Sequence, residues 1–223
     1  MSSLENRRVI LVGRPKGVPG PEFFTLDKET APQPGHGEFL VQNQFLSVEP
    51  AMRGWVNDAP NYSPPVPVGD VMRAFAVGKI IKSNNSEFKE GEIVSGLFGW
   101  QRYAVSDGSS VVTRMTNIDQ PQSYALGILG LNGITAYCGL IYQGEPKPNE
   151  TVVVSTAAGS VGSCVGQIAK IKGCRTIGIT GGPIKVHQCL DEFGYDVAID
   201  YKNTKDLGSA VAEACPDGLH VYF

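Results

Sequence analysis

The chain has 223 residues, 42% of them hydrophobic, with 19 basic against 22 acidic side chains and a net charge of −3. That is enough apolar mass for one large core or two small ones, and it excludes a disordered chain. There is no basic block, and no run approaches the roughly 18 apolar residues of a membrane helix, so neither a nucleic-acid surface nor a membrane span is expected.

The opening "MSSLENRRVILVG" lacks the apolar stretch of a signal peptide, and a soluble, cytoplasmic protein is expected. Ten of the 15 prolines fall within the first 70 residues, which disfavours long helices there. The alternating segments "RRVILVG", "EFLVQNQFLSV" and "FAVGKIIKS" read as strands, separated by Pro- and Gly-rich turns. Two more strands are expected within "EGEIVSGLFGWQRYAVSD". Residues 1–120 therefore read as an irregular β-rich domain.

From Pro121 the rhythm changes. "PQSYALGILGLNGITAYCGLIYQG" carries apolar residues at helical spacing, and Gly130 and Gly133 predict a break, with a second helix beginning near Ile134. Strands then alternate with helices: strand 151–155, helix 160–172, strand 175–180, helix 184–193, strand 197–200, helix 205–214, strand 219–223. This order predicts an α/β domain over 121–223, a doubly wound parallel sheet of the Rossmann type. Only four strands precede the end at "GLHVYF", whereas such a sheet normally has six, so the domain is expected to be incomplete and the chain a shortened form of a longer protein.

The turn "STAAGSVG" places Ala157, Gly159 and Gly162 at the positions of a dinucleotide-binding fingerprint. Gly159 lets the backbone approach a pyrophosphate, and Gly162 lets the helix sit close to its strand. The N–H groups of residues 160–163 are expected to face the phosphates, aided by the helix dipole. Val161, Val165 and Ile168 follow at i, i+4 and i+7, a stripe that packs on a sheet.

NAD-selective sites end their second strand on an acid that holds the ribose, and NADP sites supply a cation there instead. Here the strand exits through Thr180, Gly181 and Gly182, and Lys185 follows one turn later. The expected cofactor is NADP(H). The five cysteines are scattered, with no Cys-x-x-Cys pair, and only three histidines are present, so no metal site is expected.

The segments "FLSVEPAMRGWVNDAPNYSPPVPVGDVMRAFAVGKI", "LGLNGITAYCGL" and "STAAGSVGSCVGQIAKIKGCRTIGITGG" together resemble the zinc-free medium-chain reductases. Within them the match is to the NADP-dependent alkenal/one oxidoreductases, or prostaglandin reductases. The resemblance runs over residues 8–223. It implies a GroES-like catalytic domain before the Rossmann domain, and a homodimer for the full-length form. It also implies that Ala158, Gly159, Ser160, Val161, Gly162 and Ser163 form the pyrophosphate turn. Lys185 and Tyr201 then flank the 2′-phosphate beside Gly181. Pro50, on the cofactor side, and Met52, on the substrate side, match the family's Asp-Pro-Tyr-Met-Arg loop near the nicotinamide, and Tyr62 matches an aromatic bordering the substrate pocket. Glu49 and Ala51 depart from that loop's Asp and Tyr. A catalytic tyrosine of the family would fall beyond Phe223, and no catalytic residue is assigned.

The chemistry so implied is reduction of an α,β-unsaturated aldehyde or ketone by hydride transfer to the β-carbon. A quinone reductase shares the turn and the cofactor. A non-catalytic NADP-binding fragment is a third reading.

Overall fold

The computed structural model describes residues 4–59, 61–116 and 119–223; residues 1–3 of the quoted opening and Pro60 of the quoted loop lie outside these. The chain divides into two compact units, Met1–Leu126 and Gly127–Phe223.

In the first unit, β1 (Glu5–Leu11) pairs antiparallel with β2 (Phe24–Thr30). A five-stranded antiparallel sheet is built from β3 (Phe39–Leu46), β4 (Ala76–Ser83), β5 (Ile93–Gly96), β6 (Tyr103–Ser106) and β7 (Val111–Arg114), in the order β6-β3-β4-β5-β7. Inward-facing Phe39, Val41, Ala76, Ile80 and Val94 bury one of its faces together with Phe88 and Phe98. Gly78 is needed where β4 meets the irregular middle of β3, because a Cβ there would lie 2.8 Å from the Asn43 Cα. A second cluster joins Leu11 to Val66, Met72 and Ala74, and to Met52, Trp55 and Val56 around the one-turn helix α1 (Ala51–Trp55).

Three of these elements escape the sequence reading. Strand β2, "FTLDKET", is exposed at most positions and shows no buried face. Helix α1 is too short to display a helical period, and β7 has only four residues.

The second unit holds four parallel strands: β8 (Thr151–Ser155), β9 (Arg175–Thr180), β10 (Val197–Asp200) and β11 (Val221–Tyr222), in the order β10-β9-β8-β11. The chain steps outward from β8 to β9 to β10 and then returns to the far side of β8. That reversal leaves a crevice at the C-terminal end of β8, where open α/β sheets bind ligands. Alternation along the strands divides the core. Val152 and Val154 face one side with Val165 and Ala169 of α3 (Ser160–Ile171). Val153, Ile177 and Ile199 face the other, with Ala214 and Cys215 at the end of α5 (Leu207–Ala214).

Four expectations for the stretch from Pro121 onward are corrected. Between Pro121 and Gly130 the expected helix is a short 3-10 turn, Gln122–Leu126. Helix α2 (Leu131–Cys138) begins before Gly133 and runs on as a π-helical turn to Gly144. Gly133 does not break it. A side chain there would collide with the Ile128 backbone, so the glycine serves close packing inside the helix. The expected helix 184–193 is α4 (Pro183–His187) followed by a π-helical turn, Gln188–Glu192. The last strand, expected over 219–223, is the two-residue β11.

Candidate functional site

The turn between β8 and α3 is shaped by close contact. Thr156 takes a left-handed backbone, φ 52°, where a β-branched residue is strained. Its carbonyl accepts the Gly159 N–H at 2.7 Å, and the Ala157 N–H reaches back to the Ile179 carbonyl at 3.1 Å. A Cβ on Gly162 would lie 2.9 Å from the Ala157 Cα and 3.0 Å from its carbonyl oxygen, so only glycine fits the meeting of helix and turn. Gly159 caps α3 with extended backbone, and no side chain caps the helix. The N–H of Ser163 bonds the Gly159 carbonyl at 2.8 Å and its hydroxyl donates to the Ser160 carbonyl at 3.1 Å. The four amides expected to face a ligand are therefore three, those of Ser160, Val161 and Gly162, which open the helix with the positive end of its dipole.

Beneath this turn lies a residue the sequence did not single out. Tyr195 is buried, and its hydroxyl donates to the Gly162 carbonyl at 2.7 Å. Burial raises its pKa well above the usual phenol range. The ring occupies a slot that exists because Gly166 and Gly178 lack side chains; a Cβ on Gly178 would sit 3.2 Å from it. The signal in the sequence is a second small residue, Gly166, four positions after Gly162.

The exit of β9 is different. Gly182 adopts φ 94° and opens α4, which carries Lys185 on its exposed side. The Tyr201 N–H extends the β9–β10 ladder by bonding the Thr180 carbonyl at 3.0 Å, which sets Tyr201 beside Gly181. A Cβ on Gly181 would lie 2.9 Å from the Tyr201 ring and 3.0 Å from the Lys202 Cε. Gly181 and Tyr201 are thus neighbours, with Lys185 on the adjoining helix.

A carboxylate does reach this place, from the neighbouring strand. Asp200 accepts the Gly182 N–H at 2.8 Å, the Lys202 N–H at 3.1 Å and the Asn203 amide at 2.6 Å. Those bonds, the Gly182 N–H foremost, hold its carboxyl below the usual carboxylate range. The absence of an acid at the end of β9 is therefore only half of the local electrostatics.

In the first unit, Pro50 caps α1 and Met52 is buried among Leu11, Trp55 and Met72. Tyr62 is 79% exposed. Ala51, where the family loop has Tyr, packs half-buried against the Met52 cluster. Glu49 accepts the Ser47 hydroxyl at 2.9 Å. Arg53 donates to the Gly17 carbonyl at 2.8 Å and to Asn57, and Arg14 donates to the Val56 carbonyl at 3.2 Å, so two guanidinium groups tie α1 to the loop around Gly17.

Among the described residues, no three His, Cys, Asp or Glu side chains are grouped to hold a metal ion, and no helix is long and apolar enough to cross a membrane. The cysteines are free. Burial raises the pKa of Cys164, Cys174, Cys189 and Cys215, which keeps them as thiols at neutral pH.

The family model described as "N-terminal domain of oxidoreductase" matches residues 7–113, and the one described as "Zinc-binding dehydrogenase" matches residues 160–223. The NADPH-dependent curcumin reductase of Escherichia coli is 42% identical over 98% of this chain and 63% of its own length. Prostaglandin reductase 1 of Mus musculus is 40% identical over 93% of this chain and 61% of its own. The crystal structure of CurA in complex with NADPH from Vibrio vulnificus aligns with a TM-score of 0.85 at 43% identity, covering 97% of this chain and 64% of that one. The chain spans just under two thirds of the length of these relatives.

Proposed function

We infer the function of this chain from its family: it belongs to the medium-chain dehydrogenase/reductases, in the zinc-free alkenal/one reductase branch. The reading is an NADPH-dependent reductase of the carbon–carbon double bond of α,β-unsaturated aldehydes and ketones. The observation that carries it is the β8–α3 turn, whose backbone leaves three amides and a helix dipole beside a surface that any side chain at Gly162 would disrupt.

The residues present fit a dinucleotide with a 2′-phosphate. The amides of Ser160, Val161 and Gly162 hold the pyrophosphate, and Ala158 and Gly159 give it close access to the backbone. Gly181 leaves room for the adenosine end, where the Lys185 ammonium and the Tyr201 ring flank the 2′-phosphate. Tyr195 keeps the amides aimed by fixing Gly162 from below. When bound, NADPH supplies the hydride that adds to the electrophilic β-carbon. In the first unit, Pro50 and Met52 set the backbone of the loop assigned to the nicotinamide end, and Tyr62 offers an exposed aromatic to an apolar substrate. Ala51 puts a smaller side chain where the family loop it resembles has a tyrosine. The partner is a small unsaturated carbonyl compound, and the assembly this reading expects is a cytoplasmic homodimer.

The test is NADPH oxidation followed with a panel of alkenals, enones and quinones, on this chain and on a version extended to the length of its relatives. Turnover of alkenals and enones is expected. Turnover of quinones alone moves the protein to the quinone reductases, and tight cofactor binding with no turnover by either version leaves a binding module.

A further inference from the structure

The Asp200 carboxylate places a negative charge at the spot where the proposed cofactor brings a phosphate. With Lys185 alone, the fixed charges there sum to zero, which gives a doubly charged phosphate little reason to prefer the site. Lys202 changes that balance. Its Cε lies 3.0 Å from where a Cβ on Gly181 would stand, at the same point that the Tyr201 ring reaches to 2.9 Å. The ammonium is one bond, about 1.5 Å, further along the side chain, so it hangs over the end of β9. Among the described residues no carboxylate forms an ion pair with it. Asp200 is engaged mainly by three N–H donors, one of them the backbone of Lys202 itself, and the Lys202 charge adds a smaller through-space attraction. That backbone bond fixes where the Lys202 side chain starts, and the missing side chain of Gly181 gives its stem a place to lie.

We propose that Lys202 is a specificity-determining residue, a second cation for the 2′-phosphate that offsets Asp200 and makes the β9 exit net positive. This rests on the NADP reading above and extends it to a residue outside the glycine turn and the Lys185–Tyr201 pair. The ligand chemistry is that of an adenosine carrying a 2′-phosphomonoester. Two features suit Lys202 to this role over a purely solvated one: its stem is laid against Gly181, and the neighbouring acid is occupied by amides.

The experiment uses the 223-residue chain and two probes, adenosine 2′,5′-bisphosphate and adenosine 5′-monophosphate, titrated by calorimetry at low and at physiological salt. Wild type is expected to bind the bisphosphate more tightly. Lys202→Met, which keeps the apolar stem, is expected to weaken the bisphosphate about threefold to tenfold and leave the monophosphate unchanged, with a smaller loss at higher salt. Lys202→Arg should restore most of the preference, and melting curves on each variant check that the fold is kept. If wild type prefers the bisphosphate and Lys202→Met retains the whole preference, the role of Lys202 is overturned while the NADP reading stands. If wild type shows no preference between the probes, both fall together.

Discussion

The β8–α3 turn and the β9 exit are expected to meet two ends of one ligand, and they are built on opposite principles. At the turn everything is contact: a strained threonine, glycines pressed against backbone, and a buried tyrosine hydroxyl beneath. No charged side chain takes part. At the exit the backbone is open, Gly182 is unencumbered, and two lysines, one aspartate and an exposed tyrosine set the field. On the proposed function the first region is expected to recognise by shape and fixed dipoles, which salt hardly touches. The second is expected to recognise by mobile charge, which salt screens over roughly 10 Å at 0.1 M. Substitutions should therefore fail in different ways at the two places.

The largest effect is expected from Gly162→Val. Its Cβ alone overlaps the backbone of residues 156 and 157, and the rest of the branched side chain forces helix and turn apart. Overpacking of this kind costs about 3 kcal/mol, and the amides move with the helix. Loss of NADPH binding and a lowered Tm in the same variant would place stability and recognition in one structure; normal binding by a folded Gly162→Val protein would show that the turn is only structural.

Lys185→Ala probes the other region. A charge-assisted contact of this type is worth about 1.5–3 kcal/mol, and NADPH affinity should fall about tenfold to a hundredfold with NADH affinity and Tm unmoved. The loss should shrink with added salt, which a titration series at several ionic strengths reads directly. Equal NADPH and NADH affinities in wild type would remove the contrast between the regions.

Tyr195→Phe should have the smallest effect. It deletes one hydrogen bond, to the Gly162 carbonyl, and keeps the ring in its slot, for a stability loss of about 1 kcal/mol. If the hydroxyl also aims the turn, affinity for NADPH and NADH should drop by the same few-fold factor, independent of salt. A change in stability with no change in either affinity would confine Tyr195 to packing.

The sequence made the second unit legible because its signals are local. The runs at 151–155, 175–180 and 197–200 are strands with those bounds, the first two buried on both faces and the third, at the sheet edge, half-buried. The glycine turn follows β8, and Lys185 lies in α4, the helix that follows the next strand. Asp200 and Lys202 were overlooked because they come to the β9 exit through strand pairing, from about twenty residues away in the chain. Tyr195 was invisible for the same reason: nothing beside it in "FGYDVAID" says that its partner is Gly162. In the first unit, β2 lacks the alternation that marks a strand, since its contacts are almost all with β1 and its side chains mostly meet water.

The left-handed backbone at Thr156 has a consequence for how this protein can change. A β-branched residue in that conformation holds about 1–3 kcal/mol of unrelieved energy that glycine or asparagine would release. Position 156 is thus a place where thermal robustness is within reach of one substitution. A more relaxed turn, however, would let its amides sample other directions, and a ligand would then have to reorder them on arrival. Variants selected only for heat resistance should accumulate at this threonine, and those selected for tight nucleotide capture should leave it alone.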